Sequence, residues 1–299
     1  AQYIVGFYYN RDSAIDSPDD EKAFYWLKLA AEQGHCEAQY SLGQKYTEDK
    51  SRHKDNEQAI FWLKKAALQG HTFASNALGW TLDRGEAPNY KEAVVWYQIA
   101  AESGMSYAQN NLGWMYRNGN GVAQDYTLAF FWYKQAALQG HSDAQNNLAD
   151  LYEDGKGVAQ NKTLAAFWYL KSAQQGNRHA QFQIAWDYNA GEGVDQDYKQ
   201  AMYWYLKAAA QESVGAYVNI GYMYKHGQGV EKDYQAAFEW FTKAAECNDA
   251  TAWYNLAIMY HYGEGRPVDL RQALDLYRKV QSSGTRDVSQ EIRETEDLL

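Results

Sequence analysis

One short pattern returns eight times along the chain, and that return limits the possible folds more than any other feature. It is Ala, an aliphatic residue four positions later, a small residue next, and usually Tyr three beyond. The opening alanines are Ala1, Ala38, Ala74, Ala108, Ala144, Ala180, Ala216 and Ala252, spaced by 34 to 37 residues. A repeat of this length is one helix-turn-helix unit that cannot bury its apolar face alone, and eight copies exceed the roughly three that a stacked array needs. In the fourth copy the pattern is Ala108, Leu112, Gly113 and Tyr116. At about 100° per residue these fall on one helix face. The small residue (Gly43, Gly79, Gly113, Ala149, Ala185, Gly221, Ala257) lets a second helix approach closely.

That second helix carries Ala129, Trp132, Tyr133, Ala136 and Ala137 in copy four. Trp26, Trp62, Trp96, Trp132, Trp168, Trp204 and Trp240 share one repeat position and are expected to be the core knobs between helix pairs. Between the helices stands Gly-x-Gly-Val, with Gly119/Gly121, Gly155/Gly157, Gly191/Gly193 and Gly227/Gly229. These glycines stop one helix and turn the chain, since Gly adopts positive φ without strain. Asp125, Asn161, Asp197, Asp233 and Asp269 follow where an N-cap starts the next helix. Asn161 also opens the sequon Asn161-Lys162-Thr163, and the capping role is preferred for it. Copy two lacks the paired glycines and copy three shortens its loop around Pro88, so these loops should be the least regular.

The chain is therefore expected to be all-α, an α/α superhelical solenoid of eight repeats over residues 1–284. After Gly284 the pattern stops. Residues 285–299 read as a C-terminal capping helix, with a capping box from Asp287 to Gln290 and an apolar stripe of Val288, Ile292 and Leu299.

In copies four to seven, Ala-x-x-x-Leu-Gly-x-x-Tyr, Gly-x-Gly-Val and Ala-x-x-Trp-Tyr-x-Lys-Ala-Ala-x-x-Gly resemble the Sel-one-like repeat family, relatives of the tetratricopeptide repeats. Copy eight departs by placing Leu276 where Trp stands, and copy seven ends in Asn248 rather than Gly. The resemblance implies a scaffold or adaptor for a partner protein, with bacterial members often periplasmic or secreted and some acting on host cells. The disulfide-bearing relatives to which β-lactamase-like activity is ascribed have cysteine pairs that this chain lacks; it has only Cys36 and Cys247, too far apart in a stack to bond. The chain opens on Ala1 inside a repeat motif, so it reads as trimmed, and the absent leader carries no message about export.

Charge and motif content narrow the function further. A net charge of -10 argues against nucleic acid, whose phosphates need neutralising. The densest basic run, Lys45, Lys50, Arg52, His53 and Lys54, reads as a solvated loop. No stretch reaches the roughly 18–20 apolar residues of a membrane span. No zinc-protease, nucleophile-elbow, P-loop or Cys-x-x-Cys motif occurs. We assign no catalytic residue, metal or cofactor and expect a monomer. His35, His71 and His141 share an exposed position after a helix-ending glycine, and His226 and His261 lack ligand spacing.

The remaining signal lies opposite the packing face of the first helices. Positions two before and two after the buried aliphatic point roughly 140–200° away from it. Two after, the chain reads Phe7, Gln44, Trp80, Trp114, Asp150, Trp186, Tyr222 and Ile258; two before, Tyr3, Tyr40, Asn76, Asn110, Asn146, Phe182, Val218 and Tyr254. Most of these are aromatic or aliphatic, and connected exposed rings mark interaction sites. The expected partner-binding set is Tyr40, Trp80, Trp114, Arg117, Asp150, Phe182, Trp186, Tyr222 and Tyr254 on a concave face, gripping a protein or peptide. Sugar rings are the alternative ligand, suggested by Asn76, Asn110 and Asn146 beside the aromatics, and a hydrolase is the weakest reading. The opposing structural reading is that neighbouring first helices shield the rings from each other.

Overall fold

Every regular element among the described residues of the computed structural model is a helix, and within each of two compact units the helices pack chiefly on their neighbours in the chain. The structure describes residues 1–6, 18–48, 53–85 and 87–299. Phe7, Lys50 and Arg52, all named above, lie outside them.

Two compact units divide the chain, Ala1–Gln160 and Asn161–Leu299. The first holds α1 (2–6), α2 (Pro18–Glu32), α3 (Cys36–Thr47), α4 (Asn56–Leu68), α5 (Thr72–Arg84), α6 (Tyr90–Glu102), α7 (Ser106–Asn118), α8 (Tyr126–Leu138) and α9 (Ser142–Asp154). The second holds α10 (Lys162–Gln174), α11 (Arg178–Ala190), α12 (Tyr198–Ala209), α13 (Val214–His226), α14 (Tyr234–Glu246), α15 (Ala250–Tyr262), α16 (Leu270–Ser283) and α17 (Ser289–Asp297). Odd-numbered helices up to α15 are the first helices of repeats, and even-numbered ones the second.

The core is built as expected at the small positions and only partly so at the large ones. A Cβ on Gly79 would lie 2.8 Å from the ring of Tyr97, one on Gly113 2.7 Å from Tyr133, and one on Gly221 2.7 Å from Phe241. Gly43 meets Leu63 in the same way at 2.6 Å. The residue that fills the space above the small position is thus the one after the tryptophan. Tyr97, Tyr133, Tyr169, Tyr205, Phe241 and Tyr277 are fully or almost fully buried. Trp62, Trp96 and Trp204 are buried at the flank, while Trp26, Trp132, Trp168 and Trp240 stay partly exposed. The expectation of tryptophans as core knobs thus holds for Trp62, Trp96 and Trp204 and not for the other four, and the residue against the small position is the next one. One residue is about 100° of helix, so the ring that faces the glycine and its predecessor cannot share one direction.

The loop glycines do two jobs. Gly119, Gly155, Gly191, Gly227 and Gly263 end the first helices in the left-handed region. The second glycine of each pair lies against the start of the preceding repeat's second helix. A Cβ on Gly121 would lie 2.4 Å from the Tyr90 carbonyl, and one on Gly193 2.2 Å from that of Lys162. The pair Gly263/Gly265 does the same in copy eight, where Arg266 replaces Val and hides the motif. In copy three, Gly85 is extended and α5 ends without a left-handed residue. The expected N-caps are all present, with Asp125, Asn161, Asp197, Asp233 and Asp269 each accepting from backbone N–H groups of the next helix.

Histidine serves the same purpose at the first helices. His35, His71 and His141 accept the N–H of Ala38, Ala74 and Ala144 through Nδ1, and Asn177 and Asp249 do so at the equivalent sites. They are therefore caps, and not simply exposed polar residues. Burial pushes the His141 imidazole below its ordinary value, with Asp143 opposing, and the Tyr107 ring packs edge-on at 4.6 Å. Its Nε2 is buried without a hydrogen-bond partner. Protonation would turn the capping Nδ1 into a donor facing another donor. Because the folded value is depressed, the unfolded chain binds more protons at acid pH, and stability falls with pH there. The contribution is complete above the unfolded-state value of about 6.5 and is lost as pH drops through the lower folded one. His141→Asn keeps the cap and removes the titration. Thermal melts at pH 7.5 and 5 should show a smaller acid loss in the variant than in the parent; equal losses would show that the cap does not titrate.

Polar side chains tie repeats together where the sequence showed nothing. Gln39 donates to Ala31 O at 3.1 Å, and Gln69 donates to Gln39 Oε1 at 2.7 Å. Gln109 with Gln139, and Gln181 with Gln211, repeat this relay. Lys45 belongs to α3, not to a solvated loop; it is buried and ion-paired with Asp20. His53 stacks on Phe24 at 3.9 Å and reaches Glu21 at 3.0 Å.

At the C-terminus α17 covers α16. Val288 is buried and Ile292 packs against the cluster of Ala257, Ala273, Tyr277 and Val280. Two details differ from expectation. Asp287 accepts from Ser289 while Gln290 bonds Glu294, so no capping box closes. Thr295 fills the buried position, and Leu299 is exposed.

Candidate partner-binding surface

In the first unit α3, α5 and α7 bring Tyr40, Trp80 and Trp114 to one surface with two adjoining clefts that share Trp80. One, of about 360 Å³, is lined by Tyr40, Phe73, Asn76, Met105 and Tyr107 together with Trp80. The other, of about 290 Å³, runs between Trp80 and Trp114 over Asp83, Arg84, Tyr97, Asn110 and Asn111. Trp80 is 44% exposed and Trp114 42%. Both indoles follow from register: two positions past a buried leucine they lie outside the packing face, and the glycine between keeps the helix close to its partner.

The residues two before the leucine behave differently. Asn111 donates to Asn76 Oδ1 at 3.2 Å, and Asn147 to Asn110 Oδ1 at 3.0 Å. Asn146 is buried. Two of the three asparagines first set beside a sugar ligand therefore take part in bonds between neighbouring repeats. Arg117 and Asp150, both in the expected partner-binding set, form an ion pair at 3.1 Å and largely neutralise each other. Tyr3 stacks on His35 at 4.5 Å.

In the second unit Trp186 is 46% exposed. Phe182 is half-buried against Gly215, where a Cβ would come within 2.9 Å of its ring. Tyr222 accepts from Asn255 at 2.9 Å and packs edge-on to Phe241. Tyr254 lies under Arg286, 3.8 Å from the ring centre, and donates to Glu291 of the capping helix at 3.2 Å. Val218 is buried and Ile258 half-buried. The two readings of the strip thus divide by residue: the indoles of Trp80, Trp114 and Trp186 are open, whereas Tyr222 and most of the rings two before the aliphatic are taken up by the neighbouring repeat or the cap.

A second exposed row was missed. Tyr25, Phe61, Phe131, Phe167 and Tyr203, each one residue before a second-helix tryptophan, are exposed and meet that indole edge-on at 4.9 to 5.3 Å. Lys65, Lys171 and Lys207 cover three of the rings. Its sequence signal is the Tyr/Phe-Trp pair in these second helices.

Among the described residues no three His, Cys, Asp or Glu side chains gather in metal-holding geometry. His226 lies over Tyr222, and His261 bonds Thr295 at 3.1 Å. No described helix is long and apolar enough to cross a membrane.

Consecutive helix pairs closed by a left-handed glycine and joined through small-residue seams define an α/α repeat protein. The chain belongs to the Sel1 repeat family, which it matches over residues 1–35, 36–71, 72–105, 106–141, 142–177, 178–213, 214–249 and 250–279. A segment of 125 residues, 42% of the chain, is 99% identical to the Sel1-repeat-containing protein YbeQ of Escherichia coli and covers 38% of that protein. A protective antigen present in uropathogenic Escherichia coli strains, of SLR fold, is 35% identical at a TM-score of 0.88 over 95% of this chain and 61% of its own. A Sel1 repeat protein from Oxalobacter formigenes is 32% identical at 0.66, over 72% and 86%. Proteins of this family are generally non-catalytic scaffolds for other proteins.

Proposed function

We propose that this protein is a non-enzymatic interaction scaffold whose first-unit surface around Trp80 grips a segment of a partner protein. The observation that carries the reading is the pair of clefts meeting at one exposed indole. Large rings that are open in the free protein and set on rigid helices form binding hot spots, since little ordering entropy is lost when they are covered. In the second unit Trp186 offers an open indole of the same kind, with Phe182, Tyr222 and Tyr254 supporting its helices.

Truncating a hot-spot tryptophan costs about 2 kcal/mol, about thirtyfold in affinity. Trp80→Ala with Trp114→Ala should therefore strip the captured partner from a pull-down out of Escherichia coli lysate read by mass spectrometry. The circular dichroism and melting temperature should hardly change, because neither ring is in the core. Unaltered capture would move the site elsewhere, and Trp80-dependent retention on insoluble peptidoglycan would reassign it to sugars.

A further inference from the structure

The cleft between Trp80 and Trp114 has a chemical polarity that the other aromatic contacts lack. Its floor is Asp83, whose side chain is only 10% exposed. The carboxylate receives one full hydrogen bond, from the Tyr97 hydroxyl at 2.7 Å, and that donor is neutral. Arg84 Nε stands 3.7 Å away, beyond hydrogen-bond range. An ionised carboxylate has about four acceptor sites, so Asp83 is desolvated, charged and underused. Burial raises its pKa, with the Tyr97 bond and Arg84 opposing, as expected of a carboxylate short of counter-charge.

Asp150 gives the contrast. It lies on the same surface and is met by the Arg117 guanidinium at 3.1 Å, so its charge is already answered. The Trp80–Trp114 cleft is lined by two indoles, the aromatic ring most attractive to a cation. Asn111, whose amide donates to Asn76, also lines the cleft. The chain also shows what such a wall accepts, because the guanidinium of Arg84 lies over the Trp80 ring at 5.5 Å. That side chain is 68% exposed and its ion pair with Asp83 is loose, at 3.7 Å, so it can be displaced.

We propose that this cleft recognises a basic side chain, Arg or Lys, on a protein partner, with Asp83 as its counter-charge and Trp80 and Trp114 as its walls. The inference rests on the scaffold reading above and names the partner's chemistry. Arg84 is then an internal stand-in for the ligand and a weak competitor. The net charge of -10 favours the approach of such a partner at low salt.

A random twelve-residue phage-displayed peptide library selected on the whole chain tests this. Binders should carry Arg or Lys at a fixed place, and replacing that residue with Gln should weaken binding at least tenfold by calorimetry. On Asp83→Asn the same replacement should have little effect, because the charge it answers is gone; Asn still accepts from Tyr97, so the fold is kept. Arg84→Ala should bind the basic peptides more tightly than the parent. Trp80-dependent binders without a basic residue would overturn the proposal and leave the scaffold standing. So would basic binders indifferent to Asp83, or weakened binding in Arg84→Ala. An absence of any Trp80-dependent binder would sink both readings.

Discussion

Tyr133→Ala is expected to lower the unfolding free energy by about 3–5 kcal/mol, whereas Trp132→Ala one residue earlier should cost clearly less. The reasoning is geometric. Tyr133 is fully buried, with its ring against Gly113, where the helices are too close for the surroundings to collapse into a void. A deleted ring there leaves a cavity as well as lost transfer energy. Trp132 is larger, but part of its surface already meets water, and its removal opens onto solvent. Gly113→Ala tests the same seam from the other side. A Cβ would lie 2.7 Å from the Tyr133 ring, and overpacking of this kind costs about 1–3 kcal/mol. Urea unfolding followed by circular dichroism would rank the three variants. A larger loss for Trp132→Ala would restore the tryptophan to the centre of the core and refute the packing scheme.

That ranking also shows how far the sequence could be read. Helix pairs, their boundaries and their caps were legible, because each rests on a local rule: Gly for positive φ, Asp or Asn for an N-cap, a small residue where helices touch. The opening at Trp80 and Trp114 was legible for the same reason, since two residues past a buried leucine lie about 200° from it. The rest depended on backbone direction or on partners far along the chain. His141 looked like an exposed polar residue because its task, accepting the Ala144 N–H, needs the backbone direction after Gly140. The pairing of Arg117 with Asp150 was not legible because it joins residues 33 apart. Tyr254 looked like an open ring until α17 was laid over it. The ring against the small position lies one residue past the tryptophan, and a repeat pattern alone does not tell which of two neighbouring rings turns inward.

The same distinction between local and inter-repeat roles predicts the larger of two glycine effects. Gly119 and Gly121 share one loop, and both have left-handed backbone, with φ of 71° and 74°. Alanine at Gly119 would meet only Gln124, at 3.3 Å or more, so its cost is chiefly the left-handed strain of about 1–2 kcal/mol. Alanine at Gly121 would bear that strain and also place Cβ 2.4 Å from the Tyr90 carbonyl, at the start of the preceding repeat's second helix. Backbone on both sides cannot step aside unless the repeats separate, so the loss should exceed about 3 kcal/mol, the range of strained or overpacked sites. Gly140→Ala, left-handed with nothing within 4 Å, supplies the control for strain alone. Denaturant midpoints should fall in the order Gly140 and Gly119 slightly, Gly121 severely. The third and fourth repeats joined at Gly121 are those that carry Trp80 and Trp114, so Gly121→Ala should also weaken partner capture under conditions where far-UV circular dichroism still reports helix. Equal small losses for all three glycines would mean that the second glycine only turns the chain and does not set the spacing on which the cleft depends.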